Sequence, residues 1–225
     1  MASKREWVTT LALVVTATWV AARAFGTVAS PATSSAVGAA TAPRHFEEWE
    51  RLLPHARVVA GSEGAEISIV ALSDLQCAVC KSFHETAEAV VAEFPQDVNY
   101  LHVHLPLEYH PAALPAARLA ECVAEHHGAA FSRWVGAVYE RQDSLGSRPW
   151  GAYLADAEIS DTTAILECAS RGDVAAEARA GWMFVDELNI SGTPAVLVDG
   201  WQYLQPPSTP ELRAMIRQRL RDLGR

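Results

Sequence analysis

Two rhythms of apolar and polar positions alternate along this chain. The run "ARVVAG" (56–61) reads as a short strand and "SEGA" after it as a turn. "EISIVALSD" (66–74) is apolar and β-branched, the pattern of a buried strand. From Cys77 the period lengthens to that of a helix, which runs to about Phe94 and stops at Pro95. "DVNYLHVHLPL" (97–107) is strand-like again and ends around Pro106. Strand, helix, strand implies two parallel strands joined by a crossover helix. Ahead of them, "HFEEWERLL" (45–53) predicts a short amphipathic helix.

From about Pro115 to Asn189 the pattern is helical almost throughout. "ALPAARLAECVAEHHG" ends at Gly128, a residue suited to a helix C-cap. "AAFSRWVGAVYERQ" and "PWGAYLADA" follow. "SDTTAILECASRG" offers Ser160 or Asp161 as N-cap and Gly172 as a stop. "DVAAEARAGWMFVDELN" predicts one long helix to close the block. Strands resume in "TPAVLVDGWQYL", where Asp199-Gly200 is a strong two-residue hairpin signal. "TPELRAMIRQRLRDL" is the final helix. The order predicts an α/β domain of three layers, its second half antiparallel, with helices inserted between the halves.

The first residues change the picture of where this domain works. In "MASKREWVTTLALVVTATWVAARAFG", Lys4 and Arg5 precede an uncharged stretch from Trp7 to Ala22. A positive head before an apolar segment marks a secretory signal or an N-terminal anchor. The stretch falls between the roughly 7–15 residues of a signal core and the roughly 17–25 of a membrane span. Ala22-Arg23-Ala24 offers a cleavage site, and Trp7 and Trp19 suit the two interfaces of a retained helix. Residues 1–25 are therefore expected to be a membrane anchor or signal peptide, with the rest of the chain exported. Residues 26–44 carry almost no large side chains and read as a flexible linker, so the folded domain is expected over 45–225. The chain is 50% hydrophobic and 20% charged, an ordinary globular balance. Its formal net charge of −9 repels phosphate backbones, which excludes nucleic acid as a partner. The basic run "RAMIRQRLRDLGR" reads as the solvated face of the last helix.

Candidate chemistry centres on the cysteines: Cys77, Cys80, Cys122 and Cys168. An even number in an exported chain suggests two disulfides, and three pairings are open. Cys77 with Cys80 and Cys122 with Cys168 is the pairing that needs no strain, given the helices around them. Cys77 lies where a strand gives way to a helix. The first N–H groups of a helix lack intrahelical partners and carry partial positive charge, so a thiolate there is stabilised. Cys80, one turn on, can close a disulfide or resolve a mixed one. A zinc site would need four ligands, and there is no second Cys-x-x-Cys. His84, His102 and His104 are the histidines that zinc or copper would draw on; His102 and His104 alternate in a strand and face one side. A purely structural Cys77–Cys80 staple would constrain little, because its loop is so short.

The stretch "IVALSDLQCAVCKSF", the later "SGTPAVLVDG" and the helical block between them resemble the DsbA-like family of thioredoxin-fold thiol–disulfide oxidoreductases, over about residues 56–223. The resemblance implies a thioredoxin-like fold with an α-helical domain inserted at about 110–189. It implies Cys77 as nucleophile, Cys80 as resolving thiol and a cis Thr193-Pro194 bond packed against them. Proline is essentially the only residue before which a cis bond is accessible, and Thr193 would then turn its backbone toward the site, where an extended substrate can pair with it. Some relatives also carry a second bridge in the helical domain, which here would join Cys122 and Cys168; two buried reduced thiols are the alternative. Ala78-Val79 departs from strongly oxidising relatives, which often place a histidine between the cysteines. Ala71 stands where some relatives have a buried glutamate. Asp74 is a candidate proton acceptor or solvent relay, or simply a polar strand end. His84 is placed to tune the thiols, although a solvated helix histidine is the simpler reading.

The implied function is an exported oxidoreductase acting on cysteines of other extracytoplasmic proteins, in the oxidase direction. The alternatives are a reductase, as in cytochrome c maturation, and a non-enzymatic metal-binding module. The expected partners are client proteins with free thiols or disulfides and a membrane or extracytoplasmic redox partner. No cofactor is expected. The location would be the periplasm or cell surface. A monomer is expected, because the linker is too short and bland for a dimerisation domain.

Overall fold

The computed structural model describes residues 42–225. The expected anchor or signal over 1–25 and the linker up to residue 41 lie outside them. The described strands are β1 (Arg44–His45), β2 (Arg57–Gly61), β3 (Ile67–Ser73), β4 (Val98–His104), β5 (Ala195–Val198) and β6 (Trp201–Tyr203). The helices are α1 (Ala78–Val91), α2 (Ala113–His127), α3 (Phe131–Glu140), α4 (Trp150–Asp156), α5 (Thr162–Cys168), α6 (Gly172–Glu177) and α7 (Thr209–Asp222). This is the expected thioredoxin-like α/β architecture, with a helical insertion between β4 and β5.

The strands form one mixed sheet in the order β1-β6-β5-β3-β4-β2. β3 and β4 run parallel, from Ile67 opposite Val98 to Ser73 opposite His104, as the intervening α1 requires. Every residue of both strands is buried, which explains their unbroken apolar character around the histidines. β5 returns antiparallel to β3 and turns into β6 through Asp199 and Gly200, at φ 44° and 80°. Two successive positive φ values are what a tight hairpin turn of this hand demands. A Cβ on Gly200 would also sit 2.5 Å from the Trp49 ring, so glycine is required twice over.

Side chains on one sheet face (Ile67, Ile69, Ala71, Tyr100) pack with Phe83 and Ala87 of α1 and with Trp134 and Val138 of α3. The other face (Val70, Leu72, Leu101, Val103, Leu197) packs with Leu52, Phe184 and Leu188. That is the three-layer arrangement. α7 starts with Glu211 accepting from the Ser208 backbone N–H at 2.8 Å, and it buries Leu212 and Ile216 in the first cluster. Cys122 of α2 and Cys168 of α5 are bonded, with Cα atoms 5.9 Å apart, so the bridge ties two helices of the insertion.

Three local expectations are corrected. Arg44 and His45 pair with Gln202 and Trp201, so the linker's end and the start of the expected helix are strand; only a 3-10 helix over Trp49–His55 follows. Gly128 is the C-cap of α2, as expected, with a right-handed φ of −46° that leads through a 3-10 turn into α3. Gly172 opens α6 instead of ending α5. The long closing helix is broken into α6 and a 3-10 helix over Ala180–Phe184. The reason for the break lies in β4: a Cβ on Gly181 would fall 2.5 Å from the His104 carbonyl oxygen, so the backbone is pressed against the strand end.

Among the described residues no helix is long and apolar enough to cross a membrane.

Candidate active site

The expected cysteines meet where β3 hands over to α1. Cys77 is the N-cap of α1, with extended backbone (φ −79°, ψ 122°), so its side chain stands at the unpartnered amides of the first turn. It is half-buried, while Cys80 is fully buried. Both are free thiols in this structure. The Thr193-Pro194 bond is cis, and the Cys77 thiol donates to the Thr193 carbonyl at 3.5 Å. Thus the two motifs, 116 residues apart, share one site.

The two sulfurs have opposed acidities. The Cys80 thiol, then the Thr193 side chain, then the backbone N–H groups of Cys80 and Val79 hydrogen-bond Cys77; together they outweigh partial burial and lower its pKa to about 5. Burial first, and the neighbouring Cys77 second, push Cys80 well above its ordinary value. Cys77 is therefore the acidic thiol of the pair, and Cys80 the one that holds its proton. Alkylation of the dithiol by iodoacetamide should follow this split: Cys77 modified with a midpoint near pH 5, Cys80 spared, as read by mass spectrometry after quenching. A midpoint near the free value of about 8.5 would mean the amides do not act on the sulfur. The same depression carries a sign for stability. The thiolate contribution to the reduced form is full above the unfolded pKa and is lost as pH falls through about 5.

Asp74 lies fully buried beneath the cysteines, but its carboxylate is already occupied. One oxygen accepts from the Gln76 N–H at 2.6 Å. The other accepts from the Leu107 N–H at 2.7 Å and from His110 Nδ1 at 2.8 Å. Asp74 reaches the thiols through its backbone, whose N–H donates to Cys80 Sγ at 3.4 Å.

His84 is not the solvated residue expected. It is 3% exposed, its ring centroid lies 4.9 Å from that of Tyr139, and burial lowers its pKa to about 4. His102 and His104 do share a face, with Nε2 of one 2.9 Å from Nδ1 of the other. They lead to Glu121, not to the cysteines: His104 Nε2 is 3.3 Å from Glu121, which Arg57 contacts at 2.6 Å. Among the described residues the single grouping of three metal-capable side chains is Glu125, His126 and Cys168, and its cysteine is bonded to Cys122. A cavity of about 630 Å3 lined by Arg57, Glu121 and Arg171 contains neither Cys77 nor Cys80. Between the two cysteines, Val79 is 53% exposed.

Several site residues were missed in the sequence. The buried Gln142, just after α3, donates to the carbonyls of Leu75 and Cys77, both at 3.0 Å, and so fastens the insertion to the cysteine loop. The Tyr139 hydroxyl donates to the Asp74 carbonyl at 3.5 Å. Gln76 accepts from the Ala112 N–H at 2.8 Å. A glutamine falling between helices carries no periodic or motif signal that could have singled it out.

The family model described as thioredoxin matches residues 55–218. The chain is 27% identical over 150 residues to a Na(+)/H(+) antiporter NhaA of Herminiimonas arsenicoxydans, a match covering 63% of this chain and 22% of that protein. The chain thus spans only about a fifth of that relative's length. Its fold is similar to Pseudomonas aeruginosa DsbA2 (24% identity, TM-score 0.61, 73% of this chain and 94% of the other). It is similar also to oxidised BdbD of Bacillus subtilis (18%, 0.64, 81% and 98%). A third likeness is to a periplasmic thioredoxin-like protein of Salmonella enterica serovar Typhimurium (18%, 0.64, 79% and 99%).

Proposed function

The chain belongs to the thioredoxin family, and from that premise we propose that it is an exported protein-disulfide oxidoreductase, with Cys77 and Cys80 exchanging disulfides with the cysteines of other extracytoplasmic proteins. The observation that carries this reading is the opposed acidity of two thiols at one helix start, beside the cis Thr193-Pro194 bond.

In the oxidase direction a client thiolate attacks Cys77 Sγ of the Cys77–Cys80 disulfide. The intramolecular S–S bond breaks, a client–Cys77 bond forms, and Cys80 leaves with the electron pair and takes up a proton. A second client thiolate then attacks the client sulfur, and Cys77 departs as thiolate. Two client thiols become one disulfide, and the centre holds the two electrons as a dithiol. An extracytoplasmic or membrane oxidant must remove them. The Thr193 backbone beside Cys77 is available to pair with the client's extended main chain. Asp74 and Gln142 hold the cysteine loop against the two lobes; with three donors on its carboxylate, Asp74 is better suited to positioning than to accepting a proton.

Magnitudes favour the oxidase direction. Relative to a free thiol near 8.5, a pKa of about 5 raises the thiolate fraction at pH 7 by roughly thirtyfold. Intrinsic nucleophilicity falls with pKa at a slope near 0.45, which over about 3.5 units removes roughly as much. The attack step therefore gains almost nothing. What remains is a better leaving group and a more stable dithiol, and both promote donation of the disulfide. A reductase is the second reading, supported by Ala78-Val79, which place no charged side chain beside Cys77. Equilibration with glutathione separates the two by potential. Export is supported by the Cys122–Cys168 bridge, since disulfides persist in oxidising compartments, and by the N-terminal sequence.

Trapping tests the proposal. A Cys80→Ser variant should accumulate mixed disulfides between Cys77 and extracytoplasmic proteins, visible on non-reducing gels and released by reductant. A variant whose Cys77 remains alkylatable yet captures no protein would overturn it.

A further inference from the structure

The pair formed by Asp74 and His110 lies outside both cysteine motifs. Asp74 is 1% exposed, and a buried carboxylate is retained in its charged form only if paired. Its partner comes from 36 residues away, on the loop that follows β4. His110 is part-exposed and sits 2.8 Å from Asp74 Oδ2. The backbone on either side of the same Asp74 contacts the dithiol: its N–H meets Cys80 Sγ, and its carbonyl accepts from the Cys77 N–H at 3.1 Å. A fixed negative charge at this place opposes a second one on Cys77.

We infer that His110 compensates the charge of Asp74, so that its imidazolium, acting through Asp74 as a positioning residue, sets the acidity of Cys77 and the redox potential of the dithiol. No side chain between the cysteines can do this, because Ala78 and Val79 carry no charge. The ionisable groups facing the pair are Cys77 and Cys80 of α1, Tyr139 of α3, and Glu108 and Tyr109 of its own loop. Tyr139 is buried and neutral, and Glu108 and Tyr109 are exposed, so His110 is the basic side chain in contact with the carboxylate. The inference rests on the reading of Cys77 and Cys80 as an exchange centre.

The test is a charge cycle. His110→Asn keeps an N–H donor near the Nδ1 position and removes the cation. The loop keeps two other ties, Leu107 N–H to Asp74 and Ala112 N–H to Gln76, so it should hold its place. The Cys77 pKa, read by thiolate absorbance, should rise by about one unit, and the equilibrium with glutathione should shift about tenfold toward the disulfide. Asp74→Asn should move both quantities the opposite way, and the double variant should return close to wild type. Unchanged Cys77 titration and potential in His110→Asn would overturn the inference; so would single variants that shift in the same direction, the result of a loosened loop. These readouts use only thiolate absorbance and glutathione. A protein that passes them but traps no client leaves this inference standing and defeats the proposed function.

Discussion

Cys77→Ser should keep the fold and lose all thiol–disulfide exchange. Serine is among the best N-cap residues, and position 77 is half-buried at the first turn of α1, so the helix gains a good cap and gives up only a partly buried sulfur at the edge of the core. The hydroxyl cannot ionise near neutral pH, so no nucleophile or leaving group remains at the open end of the site. Cys80 cannot take over. It is 0% exposed, burial holds its proton, and its sulfur is engaged by the Asp74 N–H. Insulin reduction and refolding of a reduced client should both fall to the uncatalysed rate, while urea denaturation stays within about 1 kcal/mol of wild type. Measurable turnover by the serine variant would mean that Cys80 reaches substrate, and the assignment of roles would have to be reversed.

The second large effect is on stability. Replacing both Cys122 and Cys168 by alanine should cost about 4 kcal/mol, because the bridge spans 46 residues and the entropy of closing such a loop returns to the unfolded chain. A loss below about 1 kcal/mol would show that the reduced, unfolded chain is already confined in this region. The acidity of Cys77 should not change: none of the groups that lower its pKa lies on α2 or α5. The double variant therefore separates a scaffold bridge from a catalytic one. Loss of stability with unchanged Cys77 alkylation identifies the former, and altered Cys77 acidity would link the two cysteine pairs.

What could be read directly from the chain was local. The apolar run over 67–73, the helix opening at Cys77 and the parallel return over 98–104 depend on periodicity and on which residues tolerate a helix start. Asp199-Gly200 turned where it should because its two φ values are a property of those two residues. Cys77 was recognisable because the amides that act on it are its own neighbours in sequence.

Tertiary structure decided everything that depended on a distant partner. His84 sits on a helix that exposes many neighbours, yet it is buried because Tyr100 and Tyr139 close over it. The last helix of the insertion breaks because Gly181 lands on the end of β4. Asp74 stood in the sequence as a proton acceptor or a polar strand end, and only folding brings Leu107 and His110 to its oxygens; Gln142 had no mark at all before it reached Leu75 and Cys77. Periodicity and capping act over a few residues, so they are written in the chain. Burial, close approach and charge compensation are properties of surfaces that meet only after folding.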